Sequence, residues 1–243
     1  MSSQENHKYY NPLWAIFFVL LTFEISTLPA LYLLDALGGW VYQNPITVNM
    51  TYIGSVEMYP IRDNLIGFFS TPIAIFFILW RMKKRKIPLS DLGSLEIQGN
   101  PIFIGIFLLI AFLFLEESYF YFLGIEIPES FIKFILAEPI LLGFISVVLI
   151  APVIEEFLFR GFLYSQLQQS ILKDWGAVIV SSLVWTIIHF QYEAGILFVL
   201  FLFGLLLGYF RIKYNSLLIP IVLHAVNNFL SFIMITFDIQ LFS

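Results

Sequence analysis

Long apolar runs separated by short polar clusters organise this chain almost from end to end. Leu13 to Leu34, Leu65 to Trp80, Ile102 to Leu115, Phe131 to Ala151, Trp175 to Phe190, Gly195 to Phe210 and Ser216 to Thr236 are the clearest. Val153 to Ser170 is an eighth, interrupted by charges. A bilayer core of about 30 Å takes roughly 20 apolar residues as helix, and about 17 suffice where packing allows. The pattern therefore predicts an all-α, polytopic transmembrane bundle of about eight membrane helices, with seven as the alternative. No repeat, low-complexity tract or separately folding soluble unit stands out, so residues 1–243 read as one membrane domain. The first run is too long for a signal-peptide core and lacks a small-residue cleavage site, which predicts an uncleaved first helix.

Composition agrees with lipid as the solvent. The chain is 60% hydrophobic and only 12% charged, against about 45–50% and about 25% in soluble domains. The net charge of −5 identifies no partner, because charges on two sides of a membrane do not sum into one field. Cysteine is absent, which excludes disulfides, thiolate metal sites and a thiol nucleophile. Five cations in Arg81 to Lys86 directly follow Trp80. This is a membrane stop, which the positive-inside rule places in the cytoplasm, and no nucleic-acid patch is needed to explain it. The polar stretch Asp35 to Asn64 reads as a loop rich in turn formers, its Asn49-Met50-Thr51 sequon as chance. Glu116, Glu117, Glu126 and Glu129 read as a solvated outer loop.

Ionisable side chains at membrane depth cost several kcal/mol, on the order of 3 by insertion scales, and so are functional hypotheses. The second half of the chain gathers them: Glu155, Glu156 and Arg160, then His189 one turn after Trp185, then His224 one turn before Asn228. Glu156 and Arg160, four apart, can pair along one helix face. Glu155 then points about 100° away without a local partner. Each group alone has a plain structural reading as interhelical glue, as has Glu24 in the first run. Together they are the parts of a hydrolytic site, a carboxylate to take a proton from water and N–H groups to stabilise an oxyanion.

Depth decides whether they can meet. Glu155 lies about 27 Å before the turn at Lys173-Asp174 and His189 about 22 Å after it, at 1.5 Å per residue. With seven crossings, ten cations lie inside and two outside, but Glu155 and His189 fall on opposite sides. With eight crossings, and Pro152 starting an extra helix, they share one depth near the cytoplasmic face at the expense of the charge bias. The cost of isolated polar groups favours eight.

At these residues the sequence resembles the CPBP family, also called Abi, of intramembrane proteases: the type II CAAX prenyl endopeptidases and bacterial relatives linked to bacteriocin self-immunity. The family pattern Glu-Glu-x-x-x-Arg, Phe-x-x-x-His, His-x-x-x-Asn reads here as Glu155-Glu156-Phe157-Leu158-Phe159-Arg160, Trp185-Thr186-Ile187-Ile188-His189 and His224-Ala225-Val226-Asn227-Asn228. Trp185 stands where the family has phenylalanine; an aromatic is kept, so a reshaped pocket wall and no lost chemistry are expected. The resemblance implies a catalytic core over about residues 131–236. Within it, Glu155 and His189 would hold and activate water, His224 and Asn228 would form the oxyanion site, and Glu156, Arg160 and Trp185 would support them. It also implies an eight-helix bundle whose site opens toward the cytosol.

Members are described as metalloproteases, and Glu155, His189 and His224 are a conceivable ligand set for zinc or another divalent metal. The compact His-Glu-x-x-His spacing of zinc proteases is missing, which favours a site with no required metal. The reading that follows is an endopeptidase acting on a membrane-associated protein, prenylated or bacteriocin-like, in a multi-pass membrane protein of a prokaryotic cell. The alternatives are a non-enzymatic scaffold or bacteriocin immunity protein, and a small transporter, which inverted repeats would favour and none is found.

Overall fold

The computed structural model describes residues 8–41, 51–53, 56–58, 60–96, 99–136 and 139–239. Among the described residues eight helices make up the fold: α1 (Pro12–Val41), α2 (Pro60–Arg85), α3 (Gly99–Leu123), α4 (Glu129–Ile135), α5 (Ile140–Gln168), α6 (Lys173–Ile187), α7 (Ala194–Tyr214) and α8 (Leu218–Phe237). A small antiparallel hairpin, β1 (Thr51–Ile53) with β2 (Val56–Met58), precedes α2. Asn49 of the sequon lies outside the described residues.

Six of the helices are long and apolar enough to cross a membrane: α1, α2, α3, α5, α7 and α8. The chain is an integral membrane protein. Large side chains left uncovered by the bundle, such as Leu13, Phe103, Phe107 and Phe122, are what a lipid-facing surface requires. The 15-residue α6 is only about 22 Å long and runs between α5 and α7.

The helix bundle agrees with the sequence, but six of its described helices are long enough to span where about eight were expected, and the membership differs. Phe131 to Ala151 and Val153 to Ser170 are not two spans; they are the short α4 followed by the single 29-residue α5. Pro152 does not start a helix but lies inside one. A proline there removes a backbone hydrogen bond and crowds the preceding turn. Segments Ile145–Ile150 and Phe157–Leu163 on either side are wound as π-helix, the kind of local rewinding that re-satisfies the freed groups.

Lipid supplies no hydrophobic drive for helix association, so close packing carries it, and small residues set the distances. On α7, a methyl at Gly208 would stand 2.4 Å from Val178 Cγ1 of α6, and one at Gly204 would stand 2.9 Å from Ser182 Cβ. On α3, Gly105 admits Leu223 of α8 in the same way, at 2.7 Å. Overpacking of this kind costs about 1–3 kcal/mol. Gly208→Ala is therefore expected to lower the melting temperature in detergent, and Val178→Ala in the same chain to restore most of it. Equal melting of wild type and Gly208→Ala would contradict this packing.

One end of the bundle is tied by polar contacts. The Tyr10 hydroxyl accepts from Arg81 Nε at 2.8 Å, and Arg85 donates to the carbonyls of Lys8 and Tyr9 at 3.2 and 3.1 Å. Arg211 is buried near the end of α7. Its guanidinium donates to the Arg160 carbonyl (2.9 Å), the Asp91 carbonyl (2.8 Å) and Asn215 Oδ1 (2.6 Å). The segment 89–96 thereby joins α5, α7 and the α7–α8 turn.

Candidate active site

Glu155 and Glu156 are adjacent in α5, and the 100° between them separates their fates. Glu156 turns into the protein and is completely buried, whereas the Glu155 side chain keeps 16% of its surface accessible. Glu156 Oε1 accepts from Arg160 Nη1 at 2.9 Å, one helical turn on, as the spacing predicted. Arg160 also donates to the Gly204 carbonyl at 3.3 Å and lies over the Trp185 ring at 4.8 Å.

His224 sits on α8 between the rings of Trp185 and Phe203, each edge-on at 5.6 Å between centroids. Its Nδ1 lies 2.9 Å from Glu156 Oε1. A carboxylate only accepts, so Nδ1 carries the proton and donates it. That leaves Nε2 facing Glu155 Oε2, 4.0 Å away. His189 falls in the turn just after α6, and its Nδ1 is 2.8 Å from the Trp185 carbonyl. The same reasoning assigns the proton to Nδ1 and leaves Nε2 with a free lone pair. Asn228, one turn beyond His224, donates one amide N–H to the Val147 carbonyl at 2.9 Å.

Trp185 contributes more than a wall. Its indole N–H donates to Glu155 Oε2 at 2.6 Å, a bond that phenylalanine cannot make. The indole thus adds a contact beyond the reshaped wall expected at this position. A hydrogen bond to a charged group is worth about 1.5–3 kcal/mol. If Glu155 acts as proposed below, Trp185→Phe should slow turnover about 10- to 100-fold, measured as kcat on a cleaved peptide. An unchanged kcat would show that the indole does not hold the working carboxylate.

Glu155, Trp185, His189, His224 and Asn228 all line one cavity of about 480 Å³. Other lining residues carried no signal in the sequence reading. Asn227 neighbours Asn228, and Tyr192 stacks beside His189 at 6.3 Å between centroids. Burial, with the Glu155 charge acting in the same direction, raises the Tyr192 phenol above its usual range, so it stays a neutral hydroxyl. Glu116 lines the cavity as well; it and Glu117 belong to α3 and not to an outer loop.

The residues do not fit a metal. Among the described residues no three His, Cys, Asp or Glu side chains are grouped to hold an ion. Tetrahedral zinc ligands at 2.0–2.2 Å from the metal stand about 3.4 Å apart, closer than the 4.0 Å between Glu155 Oε2 and His224 Nε2. The indole pins the first of these and Glu156 orients the second.

Comparison with known proteins bears on the same segment. Residues 137–230 match the family described as type II CAAX prenyl endopeptidase Rce1-like. Over these residues the chain is similar to the CAAX protease family. All three motifs of the cavity fall inside the match. The chain is also 29% identical over 173 residues to an uncharacterized 24.3 kDa protein of Escherichia coli, covering 65% of this chain and 75% of that one. No solved structure matches it.

Proposed function

We propose that this CAAX-protease-family protein is an intramembrane endopeptidase, hydrolysing a peptide bond of a membrane-associated protein without a required metal. The observation that carries this reading is a carboxylate, Glu155, held by an indole N–H and set 4.0 Å from an imidazole nitrogen inside a cavity of a membrane bundle. Arg160, the cation of the same helix, is bonded to Glu156, and Glu155 acts on it only at longer range. A gap of 4.0 Å is too long for a hydrogen bond and suits a bridging water.

In the proposed cycle, Glu155 takes a proton from a water that the free Nε2 of His189 helps to orient. The water oxygen bonds to the scissile carbonyl carbon. His224, protonated on both nitrogens in this step, donates from Nε2 to the developing oxyanion, while Glu156 accepts its Nδ1 proton. The second amide N–H of Asn228 adds a donor. Glu155 then passes its proton to the amine as the C–N bond breaks, leaving one new carboxyl and one new amine.

The test is cleavage of a membrane-anchored peptide library by the purified protein in ¹⁸O-labelled water. One labelled oxygen should enter each new carboxyl terminus, and a chelator should leave the rate unchanged. His224→Ala should reduce kcat about 100-fold or more, the usual effect of removing an oxyanion donor. Cleavage by His224→Ala at the wild-type rate, or none by the wild type across the library, would reduce the protein to a membrane scaffold. Zinc-restored activity after chelation would overturn the metal-free part alone.

A further inference from the structure

Positive charge is distributed very unequally between the two ends of the bundle. Of the chain's twelve lysines and arginines, one end carries the five of Arg81 to Lys86 together with Lys8, Lys173, Arg211 and Lys213. Helix direction and the Tyr10–Arg81, Arg85–Lys8 and Arg211–Asp91 contacts bring them to this end. The opposite end has Arg62, at the start of α2, and Lys133, which is spent on Glu129 at 2.9 Å. Arg160 is buried between the ends. Every connection between the spanning helices is short, the regime in which lysine and arginine counts set orientation. The basic end is therefore the cytoplasmic one.

The cavity opens at the other end. Its lining includes Asn64 near the start of α2, Phe120 at the end of α3, Pro128 before α4, Gln191 between α6 and α7, and Ile235 at the end of α8. All of these belong to the end without the basic cluster, and among the described residues none of the cytoplasmic end lines it. From this geometry we infer that the cavity is entered from the extracytoplasmic face of the membrane. Taken with the peptidase reading, on which this part rests, the substrate is an exported or outward-facing hydrophobic segment. A lipid-modified tail on the cytoplasmic leaflet cannot reach Glu155.

The inference reverses the cytosolic opening that the resemblance implied, and the cause is α5. An extra crossing at Pro152 would invert every later helix. With α5 continuous, Glu155 stands about 20 Å from its cytoplasmic end and His189 about 24 Å along the return through α6. Equal depth and the charge rule are then satisfied together, and the conflict between them disappears.

The cysteine-free chain permits a direct test by single-cysteine labelling with a membrane-impermeant maleimide on spheroplasts of a bacterial host. Glu126→Cys, exposed between α3 and α4, and Gln191→Cys in the cavity mouth should label on intact spheroplasts. Ile171→Cys, 94% exposed in the α5–α6 turn, should label only after permeabilisation. Labelling of Ile171→Cys on intact spheroplasts, or protection of Glu126→Cys, would overturn the inference. Because labelling does not require turnover, a reversed pattern leaves the peptidase reading standing. An outward cavity in a protein that cleaves nothing sinks that reading and spares the orientation.

Discussion

Glu155→Gln should lower peptide cleavage by about 10²- to 10⁴-fold, the contribution of a positioned general base, while the protein stays folded. The substitution keeps side-chain shape and removes only the ability to take a proton. The Gln oxygen can still accept the Trp185 indole N–H, so the contact at 2.6 Å survives. Substrate affinity should change little, because Glu155 presents only a small accessible surface to the cavity. The loss should therefore appear in kcat with KM nearly constant, the mark of an interaction made in the transition state. Rapid-mixing kinetics and a melting curve on the same preparation check both halves. A Gln variant with wild-type kcat would remove Glu155 from the chemistry. One that melts far below wild type would make the carboxylate structural.

What the sequence could and could not show follows from the range of each signal. Motif spacing is local, and the Glu156–Arg160 pair and the inward histidines were legible because each needs only one helix to be understood. The meeting of Glu155 with His224 required depth arithmetic across two turns, and it survived an error in the topology. That error came from Pro152. Proline after an apolar run is a sound helix-start signal, and nothing in the residue letters announces that flanking π-helical segments will absorb it. The Trp185 bond to Glu155 was illegible for a related reason. Its aromatic class was readable, but the reach of its N–H to a carboxylate 30 residues away in sequence depends on how α6 lies on α5. Glu116 was assigned to a loop because two glutamates looked too polar to continue an apolar run, whereas α3 extends to Leu123. Arg211 shows the same limit: a cation beside a turn reads as exposed until its three carbonyl and amide acceptors are seen.

The buried pair beneath the site should separate stability from activity. Glu156 and Arg160 are both almost completely excluded from solvent, and removing one partner of such a pair leaves an uncompensated charge at a cost of about 3–5 kcal/mol. Arg160→Met should therefore lower the melting temperature by on the order of 10 °C. Apolar replacement of both partners is often neutral, and here Glu156 Oε2 and Arg160 Nε already lack a hydrogen-bond partner among the described residues. Glu156→Leu with Arg160→Met should accordingly melt close to wild type. Activity should not follow stability back. Glu156 is also the acceptor that fixes the His224 Nδ1 proton, so the double variant loses the group that orients the imidazole. Its kcat should stay about 10-fold or more below wild type, even though its melting curve recovers. Recovery of both stability and the wild-type kcat would mean that His224 needs no carboxylate behind it, and Glu156 would then be a packing residue alone.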